Sequence, residues 1–328
     1  MATKAYVNTL TLGAPAVSQY DRFLVRPEAL DNARRGYRPG RPAVRAVLGP
    51  HARAFLGGYN ATLAAEDPEA ALAELDPAPA ERGFAVEGAA MAAVLIDLAS
   101  ESGGRLVGRL LELEGVRYLH LIHFGAGFAL SRLERSGWAG LEALDPLLRW
   151  LAFDGAGFSV AAFGDDARVR ALAAHDFPCT AECAVRHQGV GRALWFIESA
   201  EPGPIAERIA GFPEQHRGDL WSGVGFAATL AGGGPAEDVE RLPGLAGEHR
   251  PQLAQGAAFA AEVAVLAGGH GPDAERSVRI LADASVEQAG AWSAEARSGL
   301  DGPGAGIGNH QLWRERLAVA TGVGSVTP

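Results

Sequence analysis

Cysteine, lysine and long apolar runs are scarce in this chain, and each shortage excludes something. Two cysteines, Cys179 and Cys183, in 328 residues are too few for a disulfide framework. Lys4 is the sole lysine, so arginine supplies 28 of the 29 basic residues, and no basic run exists to track a phosphate backbone. With a net charge of −10, this speaks against a nucleic-acid partner. The longest uncharged stretch, Leu220–Ala236, is broken by Gly232-Gly233-Gly234-Pro235, so no membrane span is expected. The first residues, MATKAYVNTLTLG, hold no apolar run of signal-peptide length, and the expectation is a soluble cytoplasmic protein. Strand patterning is equally sparse, with period-2 alternation appearing only briefly, at 116–122. No phosphate loop, dinucleotide fingerprint, zincin helix, nucleophile elbow or Asp-rich diphosphate motif is present, and no cofactor is expected.

What the chain has in abundance is small residues inside apolar runs. The stretch RGFAVEGAAMAAVLIDLA (82–99) is echoed by RGDLWSGVGFAATLAGGG (217–234), so that Gly88 meets Gly223 and Met91 meets Phe226 at an offset of 135. Further matches follow in order. Gly125 and Phe128 answer Gly256 and Phe259, Arg149 answers Arg279, and His187-Gln188 answers His310-Gln311. The competing explanation is a Gly/Ala-rich composition that aligns easily with itself. With the upstream match of RAFLGGYNATLA (53–64) to RALWFIESAEPG (192–203), five ordered matches favour an internal duplication.

Helical spacing dominates the remainder. Residues 42–64 read as a helix. Asp67-Pro68 begins a short one through Leu75, and the run 82–99 is a buried helix. Segments 105–113 and 116–134, 146–153, 167–175, 181–198, 204–210, 217–231, 252–266, 272–295 and 310–320 complete the series. The expected fold is mostly α, multi-helical, in two pseudo-symmetric duplicated halves. The expected division is an N-terminal arm over 1–40, a first half over 41–190 and a second over 191–328.

Glycine costs about 1 kcal/mol relative to alanine inside a helix, so the recurring tetrads require compensation. They are Gly88-Ala-Ala-Met91, Gly125-Ala-Gly-Phe128, Gly155-Ala-Gly-Phe158, Gly223-Val-Gly-Phe226 and Gly256-Ala-Ala-Phe259. Either helices pack closely there, or the small faces wall a narrow apolar tunnel fit for a long flat ligand. Glu87, Asp97, Asp154 and Glu262 interrupt apolar runs and need partners or a chemical role. Arg82, Arg149, Arg217 and Arg279 are candidate partners. His120 and His123 lie three residues apart on one helix face. His175, Cys179, Cys183 and His187 recur every four residues, but the spacing is no standard finger and Pro178 interrupts it. No tightly bound metal is expected.

Seven blocks carry a resemblance: FLGGYNATL (55–63), ERGFAVEGAAMA (81–92), HFGAGFALSRL (123–133), LDPLLRWLAFDGAGF (144–158), GVGRALWFIE (190–198), DLWSGVGFA (219–227) and LAQGAAFAAE (253–262). In this order they resemble an uncharacterised bacterial family encoded in the conserved cassette beside the enediyne polyketide synthase, over roughly residues 35–318. The resemblance implies an accessory protein of enediyne or related polyketide biosynthesis, with a linear conjugated polyene as the substrate class. It carries no settled reaction. The signature positions it points to are Arg82, Glu87, His123, Asp154, Arg192, Asp219, Trp221 and Gln255. Glu87, His123 and Asp154 are the acid–base candidates. Arg82, Arg192, Arg217, Asp219, Trp221 and Gln255 are the candidates for substrate binding, with Arg82 and Arg217 pairing carboxylates at the rim of a cavity between the halves. The competing functions are a non-catalytic scaffold for the polyketide synthase or tailoring proteins, and a cyclase acting on another long polyene. A homodimer is compatible with either.

Overall fold

The computed structural model describes residues 20–32, 34–133, 141–164 and 180–322, and among them there is no strand. The principal helices are α1 (Pro42–Ala64), α2 (Pro68–Ala73), α3 (Arg82–Ser100), α4 (Arg105–Arg132), α5 (Ala152–Phe163) and α6 (Ala181–Ile197). They continue with α7 (Pro202–Ala210), α8 (Glu214–Leu230), α9 (Arg250–Leu266), α10 (Pro272–Ala282), α11 (Val286–Arg297) and α12 (Ile307–Ala320). The mostly α, multi-helical class expected from the spacing is what is seen. The helix expected over 167–175 lies outside the described residues, as do His175 and Cys179.

Local chemistry sets most boundaries. Asp67 accepts from the Glu69 and Ala70 amides at 3.0 and 3.2 Å and so caps α2. Asp97, fully buried at the end of α3, accepts from Leu106 and Val107 at 3.0 and 2.9 Å and caps α4. Its charge is therefore met by backbone donors rather than by an arginine. Asp145 accepts from Leu147 and Leu148 at 2.9 and 2.8 Å and so caps the segment expected over 146–153, but the helix it opens is a short 3-10 turn, Leu148–Leu151, that runs on into α5. The alternation at 116–122 belongs to α4, where Tyr118 (φ −126°, ψ 24°) interrupts the helical dihedrals. The single helix expected at 272–295 is two, because Asp283 takes a left-handed conformation at φ 53°.

The long helices pack in series, α1 on α3, then α4, α5, α6, α8 and α9, with α11 following on α9. The series curls until α4 meets α9 across its inner side, where Phe124 and Phe259 lie 6.2 Å apart. Close backbone approach makes the seams. In α4, α5, α6 and α8 a Gly-x-Gly pair serves both neighbours, because residues two apart on a helix point about 200° apart. Gly125 faces α3 and Gly127 faces α5; Gly155 faces α4 and Gly157 faces α6; Gly189 faces α5 and Gly191 faces α8; Gly223 faces α6 and Gly225 faces α9. A Cβ added at Gly127, Gly157 or Gly189 would lie 1.8–1.9 Å from a carbonyl oxygen of the adjoining helix. The small residues thus admit backbone, not ligand. The tunnel-wall alternative is set aside at these positions because the space is filled by neighbouring main chain.

This series also gives the sequence echo a shorter period. The seam glycines 88, 125, 155, 189, 223 and 256 follow one another at intervals of 30 to 37 residues. A shift of 135 residues carries Gly88 onto Gly223, four steps along. The boundary expected between 190 and 191 falls inside α6, and the seams run through it. One buried apolar cluster joins α3 and α4 to α9–α12, so the two ends of the chain share a core.

The described part of the N-terminal arm is strapped to this stack. The Asn60 side chain donates to the Val25 carbonyl at 2.6 Å and accepts from its amide at 3.0 Å, and the Arg38 amide donates to Ile197 at 2.8 Å. Among the described residues one helical stretch, Pro79–Ser100, is long and apolar enough to cross a membrane, and 78% of its apolar window is buried inside the fold.

Candidate functional site

The residue just before each seam glycine recurs at one register position. From α3 to α9 these residues are Glu87, Phe124, Asp154, Gln188, Ser222 and Gln255. All are buried, and together with one arginine they form the polar centre of the stack. Three residues after the seam glycine, α4, α5, α8 and α9 carry Phe128, Phe158, Phe226 and Phe259, and α3 carries Met91. In α6 that position is Arg192. The substitution of arginine for an aromatic residue at one step of the series puts a cation in the core.

Arg192 Nη1 donates to Asp154 at 2.8 Å and Nη2 to Glu87 at 3.1 Å. Its guanidinium carbon also lies 4.1 Å from the Phe124 ring centroid and 5.0 Å from that of Phe226, a cation–π arrangement. Gln188 donates to the other Asp154 oxygen at 2.9 Å. The Ser222 hydroxyl lies 2.8 Å from Gln255 Oε1 and 3.3 Å from Gln188 Oε1, linking both amides. Burial raises the pKa of both Glu87 and Asp154, and Arg192 opposes that rise in each. Two carboxyls facing one guanidinium in a dry site are neutral when the pair holds one proton, and the proton belongs to the coupled pair rather than to either residue. Such a group can donate to a ligand that reaches it. Glu87 is 3% and Asp154 0% exposed, so contact requires opening of the stack.

Beside this centre α12 closes over a crevice lined by Gln188, Gln255, Phe259, His310, Trp313, Arg314 and Leu317, too tight as it stands to hold a water molecule. The last four come from α12. Arg314 is held by Asp219 at 2.7 Å. His310 is 1% exposed, and neither ring nitrogen has a hydrogen-bond partner among the described residues. Burial, reinforced by the Arg314 charge, pushes its pKa down to about 3.

Of the residues singled out in the sequence, the structure brings Glu87, Asp154, Arg192 and Gln255 into one network, and Asp219 reaches the crevice through Arg314. Others stand apart. Arg82 pairs with Glu114 at 2.5 Å and donates to the Leu75 carbonyl at 3.1 Å. Among the described residues Arg217 meets no carboxylate; it donates to the Phe212 and Ala210 carbonyls at 2.9 and 3.0 Å, closing the end of α7. His123 is fully buried, with Nδ1 donating to Leu119 at 2.7 Å and Nε2 accepting from the Asp145 amide at 3.0 Å. Both nitrogens thus bind main chain, which suits a strut rather than a group that moves protons. Trp221 packs in the apolar cluster of α6–α8. Glu262 is matched by Arg297 at 2.8 Å and Ser293 at 2.6 Å, not by Arg279, which is exposed. Sequence reading missed Gln188, Ser222, His310 and Arg314. The polar residue that precedes every seam glycine except Gly125 is the signal that would have found the first two.

Four of the buried histidines are expected to destabilise the fold as pH falls. His51, His120, His123 and His310 all have pKa values lowered chiefly by burial, His120 to about 4 and His310 to about 3. A folded value below the unfolded one means stability that is present above the unfolded pKa of about 6.5 and is lost as pH falls. His120 and His310 should each cost roughly 2 kcal/mol between pH 7 and pH 5. Glu87 and Asp154, whose values are raised, act oppositely and offset part of this loss. Thermal midpoints recorded from pH 7 to pH 5 should fall, and His310→Phe should flatten the slope. A flat wild-type profile would contradict the neutral burial of these rings.

A family model described as protein of unknown function (DUF1702) matches residues 20–321. No curated protein and no solved structure matches the chain.

Proposed function

As the chain belongs to this DUF1702 family, whose description names no chemistry, we propose a function from the site itself: the protein binds a linear conjugated chain at the α12 crevice, as an accessory protein of enediyne or related polyketide biosynthesis. The observation that carries the binding reading is His310. A buried donor or acceptor without a partner costs about 1–3 kcal/mol, and a polar group on a bound ligand would offset that cost. Gln188, Gln255 and Arg314 offer further polar contacts around it, while Phe259, Trp313 and Leu317 supply an apolar wall for a flat conjugated segment. The pathway rests on the resemblance of the seven sequence blocks.

The crevice is closed as it stands, with no room for a water-sized molecule, whereas small-molecule pockets usually run to roughly 300–1,000 Å3. A ligand therefore enters only when α12 moves outward. Opening would also bring the ligand toward the carboxyls of Glu87 and Asp154, whose pKa values burial raises. Fluorescence titration with a conjugated polyene of about fifteen carbons tests this reading. Saturable binding is expected, weakened at least several-fold by His310→Phe and by Gln255→Leu. No saturable binding, or equal binding by wild type and both variants, would refute it.

The packed glycine seams favour a second reading, a rigid scaffold for the polyketide synthase or its tailoring proteins. Failed polyene binding together with stoichiometric co-elution of the purified synthase would select it.

A further inference from the structure

A second cluster of reactive side chains lies where α6 meets α8, and the polar centre does not use it. Cys183 and His187 stand one helical turn apart on α6, and His216 comes from the first turn of α8. Their ligand atoms all lie within 4.8 Å of one another. Cys183 Sγ is 3.5 Å from His187 Nδ1, and the His187 and His216 rings stack with centroids 3.8 Å apart and planes 5° from parallel, so one ring must turn out of the stack for both in-plane nitrogen lone pairs to meet one ion. We propose that Cys183, His187 and His216 bind a single transition-metal cation of the zinc class.

Zinc–sulfur bonds of about 2.3 Å and zinc–nitrogen bonds of about 2.0–2.1 Å, set at the tetrahedral angle, separate the two ligand atoms by roughly 3.5 Å. That is the Cys183–His187 separation. The i, i+4 spacing holds two ligands on one face of α6. The third is held at close range by the glycine seam between the helices, in which Gly191 abuts Leu220 and Gly223 abuts Gln188. His187 Nδ1 lies 2.9 Å from the Cys183 carbonyl oxygen, which accepts its proton. A metal on Nε2 keeps that bond as orienting support, whereas a metal on Nδ1 replaces the proton. His187 and His216 are 1% and 0% exposed, while Cys183 is only half-buried, which leaves a side for entry. One thiolate with two imidazoles is a soft-to-borderline donor set that selects zinc, copper or cobalt over magnesium or calcium. Three protein ligands leave a position of a tetrahedral ion for a further donor.

The full chain, stripped with a chelator, is titrated with Co2+ alone and then with Zn2+ alone. The expected result is uptake of one equivalent, with a sulfur-to-cobalt charge-transfer band that is lost in Cys183→Ser. Zn2+ should also raise the thermal midpoint of the wild type but not that of Cys183→Ser or His216→Ala. Cys183 is half-buried at the start of α6, so Cys183→Ser serves as the variant that keeps the fold, checked by its unchanged helical circular dichroism. Failure to take up an equivalent overturns the proposal. So does uptake without the charge-transfer band, or a Zn2+ response that is the same in the wild type and both variants. None of these outcomes depends on polyene binding.

Discussion

Gly223→Leu is expected to abolish folding or to reduce stability at or beyond the top of the roughly 1–3 kcal/mol range typical of overpacking. A Cβ alone at this position would lie 2.0 Å from the Gln188 carbonyl oxygen and 2.6 Å from the Arg192 amide. Both atoms are main chain inside α6, so no flexible side chain can yield. Relief requires α6 and α8 to separate, and that displaces two residues of the polar centre together. Adjacent glycines in α1 provide the control. Gly57 is exposed with nothing within 4 Å of its added Cβ, and Gly57→Ala should stabilise by about 0.5–1 kcal/mol. At Gly58 the added Cβ would lie 2.0 Å from the Ala85 carbonyl oxygen, and Gly58→Ala should destabilise. Denaturant unfolding of the three variants measures all three effects. An unchanged midpoint for Gly223→Leu would mean that the α6–α8 seam is not a backbone contact.

Arg192→Met is expected to cost about 3–5 kcal/mol at neutral pH, the range found when one partner of a buried ion pair is removed. Methionine fills part of the volume among Phe124, Phe158 and Phe226 but leaves Glu87 and Asp154 facing each other without a cation. The loss should depend on pH in a definite sense. Burial already raises both carboxyls, and Arg192 is what opposes the rise. Without it their folded values climb further. Groups with raised values contribute stability that is fully present below their unfolded pKa, near 4, and is lost as pH rises through the folded value. The gap in thermal midpoint between Arg192→Met and wild type should therefore be widest near pH 7 and narrow toward pH 5. A pH-independent gap would mean lost packing, not an uncompensated charge.

Helix positions were readable because their causes are local. Asp67 and Asp145 as caps, proline at the first turn and glycine in left-handed turns act within four residues, so α1, α2, α3 and α9 lie within a few residues of where the spacing puts them. The mistakes were also local in origin. Asp283 in a left-handed conformation splits 272–295, and no glycine or proline marks that position. The candidate centre was half legible. Charged residues within apolar runs stand out, which identified Glu87 and Asp154, and the family blocks added Arg192 and Gln255. Gln188 and Ser222 escaped because a lone neutral polar residue in a helix carries no charge penalty that demands a partner.

By itself the sequence determined a multi-helical fold and marked the small-residue positions at which either close helix packing or a tunnel wall was expected. A Gly-x-Gly pair inside an apolar helix clears two opposite faces, and the structure shows that neighbouring main chain fills both. Only the tertiary structure decided which side chains meet. Arg192 finds Glu87 across 105 residues of chain, His216 joins Cys183 and His187 from another helix, and α12 brings His310 over Gln188 and Gln255. Those meetings depend on the order of the helices around the curl and on the rotation of each about its own axis. Both are set by the sum of all the seams, and no single stretch of sequence contains that sum.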